Sequence, residues 1–243
     1  IRPSRGLGDV YKRQDLEDDQ TVREDAVILT GDAGSEAGHV LRSADLTGDG
    51  FDELIIAAPG EATTYVFSGL SRLGDSDLSD ADAILTGKSG SRAGESVSIL
   101  PSERGTPQLL IGAPGLDGGA AYLVSDPTED HQLVSDSAII IEGARDGDEM
   151  GSAVAGFEGD ILVGAPGTDT DTGAVWLFAG DTSGTVGVDD ALGWMPGEAT
   201  GDRLGSALST ADADDDGLSD IHGLALRDDV DSYWGLLLSS EVR

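Results

Sequence analysis

The chain repeats itself, and the repeat limits its fold more than any other feature. Four segments align: "AVILTGDAGSEAGHV" from Ala26, "AILTGKSGSRAGESV" from Ala83, "IIIEGARDGDEMGSAV" from Ile139 and "LGWMPGEATGDRLGSAL" from Leu192. Their leading glycines, Gly31, Gly87, Gly143 and Gly197, lie 56, 56 and 54 residues apart. The second half of the unit recurs too. "ELIIAAPG" from Glu53 matches "QLLIGAPG" from Gln108 and "DILVGAPG" from Asp160, and a short apolar run follows each: "TYVFSG", "AYLVSD" and "VWLFAG". The fourth unit reads "DIHGLALRD" where Ala-Pro-Gly would stand, then "YWGLLLSS".

Each unit thus holds several apolar runs of four to six residues bounded by Gly, Pro and Asp. Runs such as "LLIG" and "ILVG" are continuous rather than alternating, as in strands buried on both faces. No stretch combines a helical period with caps. Gly (36 residues) is abundant and aromatics make up only 5%, a balance suited to many short strands and tight turns. Units that cannot bury their own faces must stack on neighbours. Radially arranged four-stranded sheets do this, whereas solenoid repeats are usually shorter.

At these positions the units resemble FG-GAP repeats, the blades of the integrin alpha-subunit propeller and of many bacterial surface proteins. The "FG" place reads Ala37-Gly38, Ala93-Gly94, Met150-Gly151 and Leu204-Gly205; the "GAP" place reads Ala57-Ala58-Pro59, Gly112-Ala113-Pro114 and Gly164-Ala165-Pro166. Phe is missing throughout, while Gly is kept. The resemblance covers residues 26 to about 240 and implies an all-β propeller. Four units can close a small propeller, but the family more often has seven blades, roughly 390 residues at about 55 each, within a range of four to eight. We therefore expect an open arc of about four blades with exposed edge strands, in units of roughly 26–82, 83–138, 139–191 and 192–243.

Between the halves of the first unit lies "DLTGDGFDE". Counting from Asp45, side-chain oxygens fall at positions 1, 3, 5 and 9 (Asp45, Thr47, Asp49, Glu53), with Gly50 at the sharp turn. The fourth unit has "DADDDGLSD", with Asp212, Asp214, Asp216 and Asp220 at those positions. Alternate residues of such a loop turn oxygens toward one centre, and calcium accepts six to eight of them. Packed carboxylates repel one another without a cation. FG-GAP repeats carry calcium in loops of this form, and the resemblance adds the backbone carbonyls of Phe51 and Leu218. An EF-hand is excluded, because position 12 is Ile56 or Gly223 and strands follow. A solvated Asp-Gly turn is the plainer alternative. The middle units argue against it: "LPSERGTPQ" (Leu100 to Gln108) and "GFEGD" (Gly156 to Asp160) keep the flanking strands without the acidic array. Asp52, Asp215 and Ser219 fall at positions that point outward.

Asp and Glu number 47 against 14 Lys and Arg, a net charge of −33, which repels nucleic acid and anionic membranes. No apolar run is long enough for a membrane-spanning helix. Cys is absent, which removes disulfides and thiolate chemistry. The three histidines, His39, His131 and His222, share no ligand spacing, and no nucleophile elbow or phosphate loop occurs. Tyr65, Phe67, Tyr122, Trp176, Phe178 and Trp234 fall in strand-like runs and are expected in the core. Residues 1–14 carry four basic residues and one acid, and "DVYKRQ" resembles a translated sequencing adapter, so they stand outside the fold argument.

The expectation is a calcium-binding, non-catalytic propeller over residues 15–243. It would be extracellular or at a cell surface, binding a protein or glycan ligand, with no nucleic acid and no membrane insertion. The alternative is the accessory propeller of a larger secreted hydrolase or lyase.

Overall fold

In the computed structural model the described residues are 27–69, 74–101, 105–212, 219–226 and 233–238. They form nineteen short strands and only single turns of helix. The strands are β1 (Leu29–Thr30), β2 (Val40–Ala44), β3 (Glu53–Ala58), β4 (Thr63–Phe67), β5 (Ser76–Asp77), β6 (Ala83–Thr86), β7 (Ser96–Leu100), β8 (Gln108–Ala113), β9 (Ala120–Val124) and β10 (His131–Gln132). They continue with β11 (Ile139–Glu142), β12 (Ala153–Phe157), β13 (Asp160–Ala165), β14 (Ala174–Phe178), β15 (Gly184–Gly187), β16 (Gly193–Pro196), β17 (Ala207–Ala211), β18 (Asp220–Leu226) and β19 (Tyr233–Leu238).

Four sheets repeat one plan. Blade 1 runs β2-β3-β4-β6, blade 2 β7-β8-β9-β11, blade 3 β12-β13-β14-β16 and blade 4 β17-β18-β19, all antiparallel. The fold is all-β and propeller-like, and the sheets do not close into a barrel. Blades and sequence units are offset by one strand. The "AILT" that opens the second unit is β6, the outer strand of blade 1. After its third strand the chain also crosses to the neighbouring blade: β10 pairs parallel with β6, and β15 with β11.

Both faces of each second strand are covered, which explains the unbroken apolar runs. In blade 1, Ile55, Ala57 and Val66 pack with Val97, Leu109 and Ile111 of blade 2. Leu110 and Leu123 of blade 2 meet Ile161, Val163 and Phe178 of blade 3. Leu162 and Val175 of blade 3 meet Leu204 and Ile221 of blade 4. Tyr65, Phe67, Tyr122 and Phe178 are buried, as expected. Trp176 is only half-buried and stacks on exposed Trp194, with ring centroids 5.1 Å apart. The side chain of Trp234 lies outside the described residues.

The repeated glycines allow close backbone approach. The glycines after Ala-Pro donate to the preceding loop in all three repeats that carry the motif: Gly60 to Ser35 O (2.9 Å), Gly115 to Ser91 O (2.8 Å) and Gly167 to Asp148 O (3.1 Å). A Cβ at Gly60 would sit 2.0 Å from the Gly34 carbonyl oxygen. The glycine of the "FG" place needs positive φ, between 85° and 96° in all four repeats.

The residue two before that glycine is also left-handed in each repeat: Glu36 (φ 57°), Arg92 (56°), Glu149 (57°) and Arg203 (48°). Its charge alternates along the chain. Glu36 pairs with Arg92 at 2.8 Å, joining blades 1 and 2, and Glu149 pairs with Arg203, joining blades 3 and 4. The Arg92 hydrogen bond holds the Glu36 carboxyl below its usual range.

Candidate functional site

The connections between first and second strands sit at one rim. Gly48 of blade 1 lies beside Thr106 of blade 2, and the loops of blades 3 and 4 are hydrogen-bonded to each other. Blades 1 and 4 carry loops of equal length. Ala44 pairs with Glu53 and Ala211 with Asp220, so eight residues bridge the same register in both. Blade 3 closes that register (Phe157 with Asp160) with two residues, Glu158 (φ 49°) and Gly159 (φ 90°), a tight hairpin turn.

In blade 1 the loop folds around its own carboxylates. Asp45 Oδ1 accepts the N–H groups of Gly48 (2.7 Å) and Asp49 (3.1 Å), and its Oδ2 accepts that of Gly50 (2.8 Å). Asp49 Oδ1 accepts the Phe51 N–H at 2.8 Å, and the Thr47 hydroxyl lies 3.5 Å from Asp45. Glu53 is 1% exposed. Its Oε2 accepts the N–H groups of Leu46 (2.7 Å) and Thr47 (3.2 Å). Buried Leu46 anchors the loop in the core between blades 1 and 2. Phe51 projects into solvent at 74% exposure, which leaves its backbone as its contribution to the loop.

In blade 4, Asp220 repeats the placement of Glu53: first residue of the second strand and 1% exposed. Asp212 follows β17 on the surface. Asp214, Asp216 and Leu218, like Asp215, lie outside the described residues. Among the described residues, no group of three or more carboxylate or imidazole side chains is gathered tightly enough to hold a metal ion. The donor chemistry nevertheless suits a hard cation. Asp45, Thr47, Asp49, Glu53 and the Phe51 carbonyl offer oxygen only; Asp45 Oδ2 and Asp49 Oδ1 each accept one N–H and keep a second lone pair, whereas Asp45 Oδ1 and Glu53 Oε2 each accept two.

Two features of this rim were not read from the sequence. Glu158, in the short turn of blade 3, accepts the Ser219 N–H of the blade 4 loop at 3.0 Å. Hydrogen bonds from the Ser219 hydroxyl and N–H hold the Glu158 carboxyl below its usual range. Ser219 is therefore a bridge between blades rather than a solvated position. The short turn also opens a crevice of about 500 Å³ between the loops of blades 2 and 4, lined by Ser98, Leu100, Gln108, Glu158, Asp160 and Ser219 among others. Its lining mixes apolar Ile99, Leu123 and Phe157 with the carboxylates of Glu158 and Asp160.

The histidines form no constellation: His39 lies 3.7 Å from Glu95, His131 in β10 bonds the Asp126 carbonyl, and His222 is in β18. No helix among the described residues is long and apolar enough to cross a membrane.

Comparison with known proteins agrees with this plan. The phosphatidylinositol-glycan-specific phospholipase D of Dictyostelium discoideum is 26% identical over 196 residues, covering 64% of this chain and 21% of the relative. The chain thus spans about a fifth of that protein's length. The family model described as FG-GAP repeat matches residues 37–70, which hold β2, the acidic loop, β3, the Ala-Pro-Gly turn and β4. An FG-GAP repeat therefore occupies residues 37–70, in a chain whose other sheets carry the same plan in propeller-like, all-β form.

Proposed function

We propose that this chain is a calcium-binding, non-catalytic propeller module that recognises a protein or glycan ligand outside the cell. The observation that carries this reading is the pair of equal-length acidic loops on one rim, set against the two-residue turn of blade 3. The shared strand register does not require the six extra residues of each acidic loop, so their chemistry has another use. Asp45, Thr47, Asp49, Glu53 and the Phe51 carbonyl would hold one ion. Asp212, Asp214, Asp216, Asp220 and the Leu218 carbonyl would hold a second. A bound cation relieves the mutual repulsion of the carboxylates and fixes the rim. Extracellular calcium of roughly millimolar order fills even modest sites of this class.

A second reading draws on the relative. The chain matches a fifth of a protein named as a phospholipase D, which supports the role of an accessory propeller within a larger secreted hydrolase. In both readings the propeller binds and does no chemistry.

Calorimetric titration of the chelator-treated chain with calcium tests the metal, with two sites expected. Retention of the chain on glycan- and protein-coated surfaces, with calcium and with chelator, tests the ligand. Heat-silent titration together with calcium-independent retention would overturn the proposal. Turnover of a phosphodiester or glycan substrate by this chain alone would overturn both non-catalytic readings.

A further inference from the structure

Three blades contribute to the crevice of about 500 Å³ beside the short turn of blade 3. Blade 2 gives Gln108 and Leu123, blade 3 gives Phe157, Glu158 and Asp160, and blade 4 gives Thr210. All of these except Glu158 stand in strands, so the sheets fix their places. The volume falls within the range of ligand pockets, about 300–1,000 Å³.

The described residues that line the crevice include two carboxylates and no Lys or Arg. Glu158 and Asp160 make no ion pair among the described residues. Lys88, Arg92 and Arg203 are engaged in other loops, with Asp117, Glu36 and Glu149. The net charge of −33 draws cations toward the whole surface. Ile99, Leu123 and Phe157 supply apolar wall. A cationic head on an apolar stem meets both demands.

The hydrogen bonds already made decide between the two cationic side chains. Asp160 Oδ1 accepts the Gly180 N–H at 3.1 Å. Glu158 Oε1 accepts the Ser219 N–H at 3.0 Å, and the Ser219 hydroxyl bonds the same carboxylate. Each carboxylate thus has an oxygen engaged, and neither presents the free parallel pair that a guanidinium fork grips. An ammonium needs only separate acceptors, up to three. Asp160 Oδ2 and Glu158 provide two. Gln108 gives its amide N–H to Ser125 at 2.8 Å, which leaves its carbonyl oxygen as a third.

We propose that this crevice receives a lysine side chain of a protein partner, its ammonium on Asp160 and Glu158 and its stem along Leu123 and Phe157. The proposal names the ligand chemistry of the protein-recognition reading above and rests on that reading. The volume leaves room beside the lysine for an apolar neighbour, against Ile99.

The probe is the peptide acetyl-Leu-Lys-Leu-amide, titrated into the isotope-labelled chain at about 0.15 M salt and followed by NMR. The amides of Gly159, Gly180 and Ser219 should shift and saturate, at lower concentration than with the arginine peptide. Norleucine in place of lysine should leave them unmoved. Asp160→Asn, which keeps an oxygen for the Gly180 N–H, should weaken binding about ten-fold or more. Asp189→Asn, at an exposed carboxylate outside the lining, should leave it unchanged. If Asp160→Asn does not fold, Glu158→Gln decides, with the same loss expected. Equal binding of the norleucine peptide, tighter binding of the arginine peptide, or variants that bind as the parent does would each overturn the proposal. So would a neutral trisaccharide that shifts these amides where the lysine peptide does not. Binding that persists in chelator supports the crevice even where the calcium reading fails. Retention on protein-coated surfaces that the lysine peptide does not displace would overturn the crevice and leave the recognition reading standing.

Discussion

Blade 1 and blade 3 solve the same local problem differently. Each must connect a first strand to a second in fixed antiparallel register. Blade 3 uses Glu158 and Gly159. Blade 1 uses eight residues wrapped on Asp45 and tied to buried Glu53. A loop four times longer costs about 1 kcal/mol more in closure entropy. The second strands β3 and β13 are buried alike in the two blades, so the longer loop is not there to form that strand. It concentrates oxygen on a rim where the shorter turn leaves a crevice.

The largest way to break this comparison is at the base of the loop. Glu53→Leu leaves the buried Leu46 N–H and the part-buried Thr47 N–H without their acceptor and should cost about 3 kcal/mol in urea denaturation. Asp160→Leu, at the same register position in blade 3, removes a single part-buried bond to Gly180 and should cost less than about 1.5 kcal/mol. Equal costs would show that the acidic loop is no more integrated than the tight turn.

A smaller effect comes from exchange. Replacing residues 45–52 by Glu-Gly, with Glu53→Asp, copies the turn of blade 3 into blade 1. The variant should keep its β circular dichroism and lose about 2 kcal/mol, because deleting buried Leu46 outweighs the closure gain of the shorter loop, while losing the calcium response of blade 1. Unfolding of the variant would mean that the loop is needed for the strands.

Smallest is the pH effect at the bridge between blades 3 and 4. Glu158 is held below its usual range by Ser219, so its contribution is present above the ordinary value of 4.5 and lost as pH falls through the lower folded value. Thermal melts between pH 5 and 3 should show a slightly steeper loss for the parent than for Glu158→Gln. Identical profiles would remove Glu158 as a support for the acidic loop.

Much of the fold was legible because it is local and periodic. Leading glycines, Ala-Pro-Gly turns and continuous apolar runs each have a short-range cause that the structure repeats, blade after blade. The strand offset was not legible. "AILT" reads as a strand anywhere, and only the choice of hydrogen-bonding partner assigns it to the preceding blade. The parallel strands β5, β10 and β15 were missed for the same reason: two to four residues of polar sequence carry no period. At the candidate site, the spacing of Asp45, Asp49 and Glu53 was visible, but the burial of Glu53 depends on Leu46 packing into the next blade. Glu158 reads as a turn residue, and its reach to Ser219 is a contact between blades. The alternation of Glu36, Arg92, Glu149 and Arg203 was present in the aligned units and is the signal that would have revealed the ion pairs between blades.

Whether the acidic loops are cation sites or hydrogen-bonded turns is settled most directly by thermal melting of three proteins with calcium or chelator. They are the parent, an Asp45→Asn, Asp49→Asn variant and an Asp214→Asn, Asp216→Asn variant. Asparagine removes the charge and keeps one oxygen, which at position 45 can still accept the Gly48 and Asp49 N–H groups, giving up only the exposed Gly50 bond. The account predicts a calcium-dependent rise in Tm for the parent, a reduced rise in each variant and similar Tm values for all three in chelator. A parent whose Tm does not respond to calcium, or Asn variants that respond as fully as the parent, would contradict it.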